Sequence, residues 1–279
     1  LKAQIVLTSR PSASAEDWLS GLGFQTASLL PMTPPFIDRF VEHWHDAVSF
    51  EAGDLETNVD EYRWAMKAAL RKSRSLRQLA ENPLLCALLC ALNWNRKKQL
   101  PTRRIEIYRT ALEMLLIRRD HERNIKTAIQ VVDLGFDDRI AVLSDLAFWF
   151  TQNELSDAPY ERVLAKVDKT LLSMPSVTAD AEKVLQYLIA RSGVIREPSP
   201  SRVDFVHKTF QEYLAATRFV EEGLIEALVR NATRDAYREV VVMAAGSARA
   251  QESHQLVSAL LDVADKRRQK HTVRAKLRM

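Results

Sequence analysis

The apolar positions of the chain follow two different spacings. Near the start, Gln4, Ile5, Val6, Leu7, Thr8, Ser9, Arg10 and Pro11 form a short β-branched run that ends in polar residues and a proline. A buried parallel strand leaves its sheet in this way. A lone strand has nothing to pair with, so its sheet is expected upstream. A second apolar piece over 27–30 precedes Pro31, and Pro34-Pro35 then opens a helix carrying Phe36, Ile37, Phe40, Val41 and Trp44 at helical spacing. This stretch reads as the tail end of an α/β domain.

From Asp60 the spacing predicts helix almost without interruption, through Tyr62, Met66, Ala69 and Leu70 and on to Leu76 and Leu79. Asn82 offers a cap to a new helix, with Pro83 in its first turn and Leu84, Leu85, Leu88, Leu89 and Leu92 on more than one side, so this helix is expected to be buried. An amphipathic helix is predicted over 104–123 with Ile105, Tyr108, Leu112, Leu115 and Leu116 on one stripe. Another follows over 138–151 with Ile140, Leu143, Ala147 and Phe150. Two more complete the set: 160–172 with Val163, Leu164, Val167 and Leu171 inward, and 179–191 with Val184, Leu185, Leu188 and Ile189 inward, capped by Thr178 and closed by Gly193.

The period then changes to two. Val194-Ile195-Arg196-Glu197, a Pro198-Ser199-Pro200-Ser201 turn and Arg202-Val203-Asp204-Phe205-Val206 predict a hairpin, and helices followed by such a hairpin describe a winged helix. Helix resumes over 207–222, with Phe210, Tyr213, Leu214 and Thr217 inward, and paired helices over 224–229, 237–245 and 256–263 could open a helical repeat array.

Composition sharpens this picture. Only 7 of 279 residues are glycine, which disfavours glycine-rich barrels and sandwiches and supports a mainly α reading. No run reaches the roughly 18 to 20 apolar residues of a membrane span; the longest candidate, 83–94, suits a core helix. Cys86 and Cys90 lie four apart on one helix face with no second pair to complete a metal site, so they read as core thiols of a reducing compartment. Of the 40 basic residues, Lys266, Arg267, Arg268, Lys270, Arg274, Lys276 and Arg278 fall in a tail free of acids, and without them the 36 acidic residues are in the majority. The basic balance therefore belongs to the tail and carries no inference of nucleic-acid binding for the whole. Leu1 stands where a start Met would, with no basic-then-apolar leader, so the sequence is expected to be a fragment.

Several chemistries are missing from the sequence. None of the glycines precedes a Lys-Ser/Thr pair in a phosphate loop, His121-Glu122 lacks the second histidine of a zinc protease helix, and there is no G-x-S-x-G turn. His43 and His45 lie two apart, on different faces of a helix, and are not expected to share a metal.

Three segments together resemble parts of one family. Ile5-Val6-Leu7-Thr8-Ser9-Arg10-Pro11 looks like a sensor-one strand, Leu79-Ala80-Glu81-Asn82-Pro83-Leu84-Leu85 like a helical-domain proline motif, and Phe205-Val206-His207-Lys208-Thr209-Phe210-Gln211-Glu212-Tyr213-Leu214-Ala215-Ala216 like the end of a winged helix. The family they resemble is the bacterial form of the NACHT signal-transducing NTPases, within the STAND class of switch ATPases. The resemblance implies a terminal strand and helix of a P-loop α/β NTPase domain over 1–56, a helical domain over 57–99, a winged helix with one β-hairpin over 100–221 and the start of an α-helical sensor region over 222–279.

The resemblance also implies roles. Arg10 would reach the γ-phosphate, Pro83 would lie against the adenine ring, and His207 would contact the β-phosphate in a diphosphate-bound resting state. From the residues alone, Arg10 also reads as a surface arginine, Pro83 as a helix-start proline and His207 as a structurally satisfied histidine. The family's Walker A and Walker B are absent, so ATP/ADP with Mg²⁺ would be held chiefly by a missing N-terminal half, and this chain alone would not catalyse hydrolysis. The implied work is a cytoplasmic ATP- or GTP-dependent switch for signal transduction or antiphage, innate-immune-like defence. It would self-associate on activation by a trigger such as a phage protein, with no membrane and no nucleic acid engaged through this segment. Two alternatives stand beside it: a self-standing helical adaptor without NTPase activity, and a winged-helix DNA-binding regulator.

Overall fold

The computed structural model describes residues 23–25, 27, 30–52, 58–95, 100, 101, 103–118 and 134–276. The expected strand over 4–11, with Arg10, lies outside the described residues. The first helix, α1 (Pro34–Ala52), begins at its proline pair, where the missing amides cost nothing, and it turns Ile37, Val41 and His45 inward at four-residue spacing. It packs on α2 (Val59–Lys72), across which Lys67 donates to Glu42 at 2.6 Å and Arg63 pairs with Asp46.

The helical stretch expected almost without interruption from Asp60 through Leu79 is two helices. Ser73 is extended (φ −114°, ψ 116°), and its hydroxyl accepts from the Leu76 amide at 3.3 Å, starting α3 (Arg74–Ala80). A serine side chain that competes for backbone amides ends one helix and caps the next. Asn82 does cap α4 (Pro83–Asn95): its Oδ1 accepts from Leu84 N at 2.9 Å and Leu85 N at 3.3 Å. α4 is buried along Leu85, Cys86, Leu88, Leu89, Cys90, Leu92 and Asn93, as its all-round apolar pattern predicts.

The helix predicted over 104–123 appears as α5 (Arg104–Glu113) continued by one π-helical segment, Met114–Arg118. Widening leaves carbonyls to be satisfied from outside, and Arg139 donates to Leu116 O at 2.6 Å. Then come α6 (Phe136–Gln152), β1 (Asp157–Pro159), α7 (Tyr160–Leu171), α8 (Ala181–Arg191), β2 (Ile195–Ser199), β3 (Arg202–Phe205) and α9 (Lys208–Glu221). The predicted hairpin is present, but the sheet has a third strand that the sequence did not signal. β1 pairs antiparallel with β3, Ala158 opposite Val203, giving the order β1-β3-β2. Three residues ending in a proline are too short to show a period, and the edge position tolerates that proline. The cap of α8 is Asp180, whose Oδ1 accepts from Lys183 N at 2.9 Å, and not Thr178; the helix starts two residues later than expected. Gly193 (φ 63°) closes it as predicted.

Beyond α9 lie α10 (Ile225–Asn231), α11 (Arg238–Ser247) and α12 (Ala250–Lys276). The architecture is mainly helical with one small antiparallel sheet. α9 is its pivot, packed against α6 on one side and α11 on another and touching α5 and β3. No helix of the described residues is long and apolar enough to cross a membrane.

Candidate functional site

The junction between the sheet and α9 is built by local chemistry. β3 ends at Phe205, the Val206 amide donates to Val194 O at 2.8 Å, and His207 remains extended (φ −137°, ψ 128°) before the helix begins. The His207 carbonyl accepts the first helical bond, from Phe210 N at 3.1 Å, while its imidazole takes no part in capping. Helix starts carry unsatisfied amides and a partial positive charge, so this junction favours anions.

Beside it lies a cavity of about 400 Å³. His207, Lys208, Gln211 and Glu212 supply the α9 wall, with Phe205 beneath. The opposite wall is the end of α6, where Phe150, Thr151 and Glu154 face in. That end is bent back by Leu155 N donating to Phe150 O at 2.9 Å, which places Glu154 in the left-handed region (φ 51°). Arg234 is ion-paired with Glu154, so that wall is neutralised. Phe150 and Phe205 meet edge to face, 5.4 Å between centroids, and give the cavity an apolar base.

Glu212 is the unusual group here. It is 7% exposed, and Lys208 Nζ, one turn earlier, lies 3.8 Å from its Oε1. Burial pushes its carboxyl up to about 7; Lys208 and Arg104 oppose the shift, and Glu239 adds to it. Behind it, Arg104 donates to Glu239 Oε2 at 2.9 Å, and the buried Tyr108 hydroxyl has no hydrogen-bond partner among the described residues. Tyr108 stacks on Tyr213 at 5.5 Å and meets Phe210 edge to face, so α5 and α9 are locked through rings. Burial raises the Tyr108 phenol above its ordinary range, against the pull of Arg104.

Residues 104–219 match the family model described as the winged helix-turn-helix domain C-terminal to NACHT. This stretch is similar to that winged helix, and its helices and small antiparallel sheet agree with it. No curated protein matches the chain. The NACHT-associated winged helix contains the whole α9 wall of the cavity, the three-stranded sheet and the α6 wall, while Ala236 of the cavity lies just beyond it.

Of the residues singled out by sequence, His207 lines this cavity and Pro83 does not. Pro83 is exposed at the head of α4, next to Glu81, whose carbonyl accepts from Met32 N at 2.8 Å. Arg10, with Thr8 and Ser9, lies outside the described residues. His45 is buried and His43 exposed, opposite faces of α1 as their spacing predicts. Cys86 and Cys90 are free and buried; the hydrogen bond and proximity of Cys86, with burial, hold the Cys90 thiol far above the ordinary thiol range. Sequence reasoning passed over Lys208, Gln211, Glu212 and Glu154. The visible signal was the glutamate in Phe210-Gln211-Glu212-Tyr213, an ionisable residue between two aromatic positions of the helix.

Proposed function

We propose that this chain is part of a NACHT-type nucleotide switch, in which the winged helix latches onto a bound diphosphate and holds the resting state. The observation that carries the reading is His207, placed at the head of α9 and lining a cavity beside Lys208. An imidazole and an ammonium at a helix start match phosphate oxygens in charge and in donors. His207 and Lys208 would hold the phosphate end of ADP; Pro83, exposed at a rigid helix start, would meet the adenine ring; Arg10 would approach the γ-phosphate of ATP. The nucleotide and its Mg²⁺ supply the difference between the two states, and hydrolysis belongs to the Walker motifs of the NACHT domain. Exchange of the nucleotide would break the His207 contact, release the winged helix and allow self-association, a two-state element biased from two sites. A defence or innate-immune-like output in the cytoplasm, set off by a trigger such as a phage protein, is the setting this family suggests.

The exposed face of α8, the helix before the wing, carries Glu182, Lys183, Gln186 and Ala190, with no surplus of positive charge. That speaks against the DNA-binding alternative, which needs a basic face against the duplex. The test is ADP retention and basal signalling in the protein carrying its NACHT domain. One charge-assisted hydrogen bond contributes about 1.5–3 kcal/mol, so His207→Ala is expected to weaken ADP roughly ten- to a hundredfold and raise trigger-free signalling. Unchanged ADP retention together with unchanged signalling would overturn the assignment.

A further inference from the structure

The cavity that receives His207 also holds a carboxyl that cannot be indifferent to an anion. Glu212 is almost fully enclosed, yet it lines the same cavity as His207 and Lys208. The charges around it come from four directions. Lys208 lies on its own helix at 3.8 Å, Arg104 and Tyr108 approach from α5, Glu239 from α11, and Glu154, paired with Arg234, closes the α6 wall. The other acids packed on α9 are committed elsewhere, Asp204 to Arg196 and Asp145 to Lys166 and Arg218. Lys208 is therefore shared between an internal carboxylate and whatever anion enters.

We propose that Glu212 is a proton gate on this cavity: ionised, it holds Lys208 and repels a diphosphate; protonated, it frees Lys208 and offers its own O–H to the phosphate oxygens. Diphosphate binding then takes up a proton from the solvent onto a Glu212 carboxylate oxygen. This rests on the reading of the cavity as a diphosphate site and adds its regulation. Burial puts the carboxyl's changeover at about 7, so both states are populated near neutral pH. An anion arriving beside the carboxylate favours its protonated form, and by reciprocity the protonated form favours the anion.

The experiment uses inorganic pyrophosphate and the protein carrying its NACHT domain. Calorimetric titrations in two buffers of different ionisation heat, between pH 6 and 8, count protons taken up on binding. Affinity is expected to fall by up to about tenfold per pH unit above pH 7. His207 can take up protons of its own, so the decisive quantity is the difference between the unsubstituted protein and Glu212→Gln. That difference is expected to be about half to three-quarters of a proton at pH 7.5. A difference of zero overturns the gate. If pyrophosphate fails to bind, or binds His207→Ala equally well, the diphosphate reading falls and takes the gate with it. Should Glu212→Gln not fold, ¹³C-carboxyl NMR of the unsubstituted protein follows Glu212 directly. Its titration must shift to higher pH with pyrophosphate, and an unmoved titration also overturns the gate.

Discussion

Along α1–α4 the interior is apolar enough that α4 has no charged side chain in its 13 residues, whereas the winged helix buries carboxylates at Asp145, Asp204 and Glu212. Asp145 alone joins three helices: it accepts from Thr170 and Lys166 on α7 and faces Arg218 of α9 at 3.8 Å. Apolar burial is non-directional and makes a body that holds its shape without caring about charge. A buried charge must be matched by particular partners, so it determines which helices meet, and a single proton or anion can unsettle it. The contrast places an apolar packing unit beside a unit whose interior carries matched charges.

The comparison can be broken most forcefully on its apolar side. Leu89 is wholly buried in α4, and Leu89→Ala is expected to cost about 3–4 kcal/mol in denaturant unfolding, independent of salt. A loss under 1 kcal/mol would mean that α4 is not the core it looks to be. On the charged side, Asp145→Ala strands Lys166 and leaves the Thr170 hydroxyl only the Lys166 carbonyl as acceptor, at 2.9 Å. The expected loss is about 2–3 kcal/mol, because the partners are partly solvated. Calorimetry of the two variants at low and high salt would show whether charge matters to one unit only.

The two regions are also expected to answer pH with opposite signs. Burial lowers the His45 pKa from its ordinary 6.5; Nδ1 contacts Val41 O at 2.7 Å and Nε2 is enclosed without a partner among the described residues. The unfolded chain binds that proton more readily, so the neutral His45 contribution is present above about pH 6.5 and is lost as pH falls below it. Glu212 works the other way. Its pKa is raised from 4.5 to about 7, so the stability linked to its proton is present below about pH 4.5 and is lost as pH rises through 7. That loss is on the order of 3 kcal/mol. Urea unfolding of Glu212→Gln should lack the decline between pH 4.5 and 7, and His45→Gln should lack the acid-side decline. Slopes unchanged from the parent would remove both attributions.

The smallest expected effect is at a cap. Asn82→Ala removes the acceptor for two amides of α4 and should cost about 1 kcal/mol, with no change in pyrophosphate binding at the winged-helix cavity. A change in that binding would couple the head of α4 to His207, a link the cavity's lining does not contain.

Much of this fold was legible in the sequence because its signals are local. Pro34-Pro35, Asn82-Pro83 and Gly193 act through their own φ angles and side-chain oxygens, and the 3.6 spacing of α6 to α9 is set by one face meeting a core. The misses have local causes as well. Ser73 chose the amides of the next helix over continuity, Asp180 supplied the acceptor for the Lys183 amide two residues beyond Thr178, and β1 was too short to carry a period. At the cavity, His207 was singled out through its motif, while Glu212 stood in the same motif without being singled out.

By itself, then, the sequence determined the order of helices and hairpin, the buried character of α4 and the likeness to a winged helix C-terminal to NACHT, expected over 100–221 and matched over 104–219. All three depend on residues close together in the chain, whose periodicity and backbone preferences act over one or two turns. Only the tertiary structure decided that the end of α6 curls back to face the start of α9, and that Glu154, His207, Lys208 and Glu212 share one cavity. It also decided that Arg104, 108 residues before Glu212, and Glu239, 27 after, complete the carboxyl's surroundings. The protonation of a carboxyl depends on the distance to every neighbouring charge and on exclusion of water, and neither quantity exists until the helices have packed.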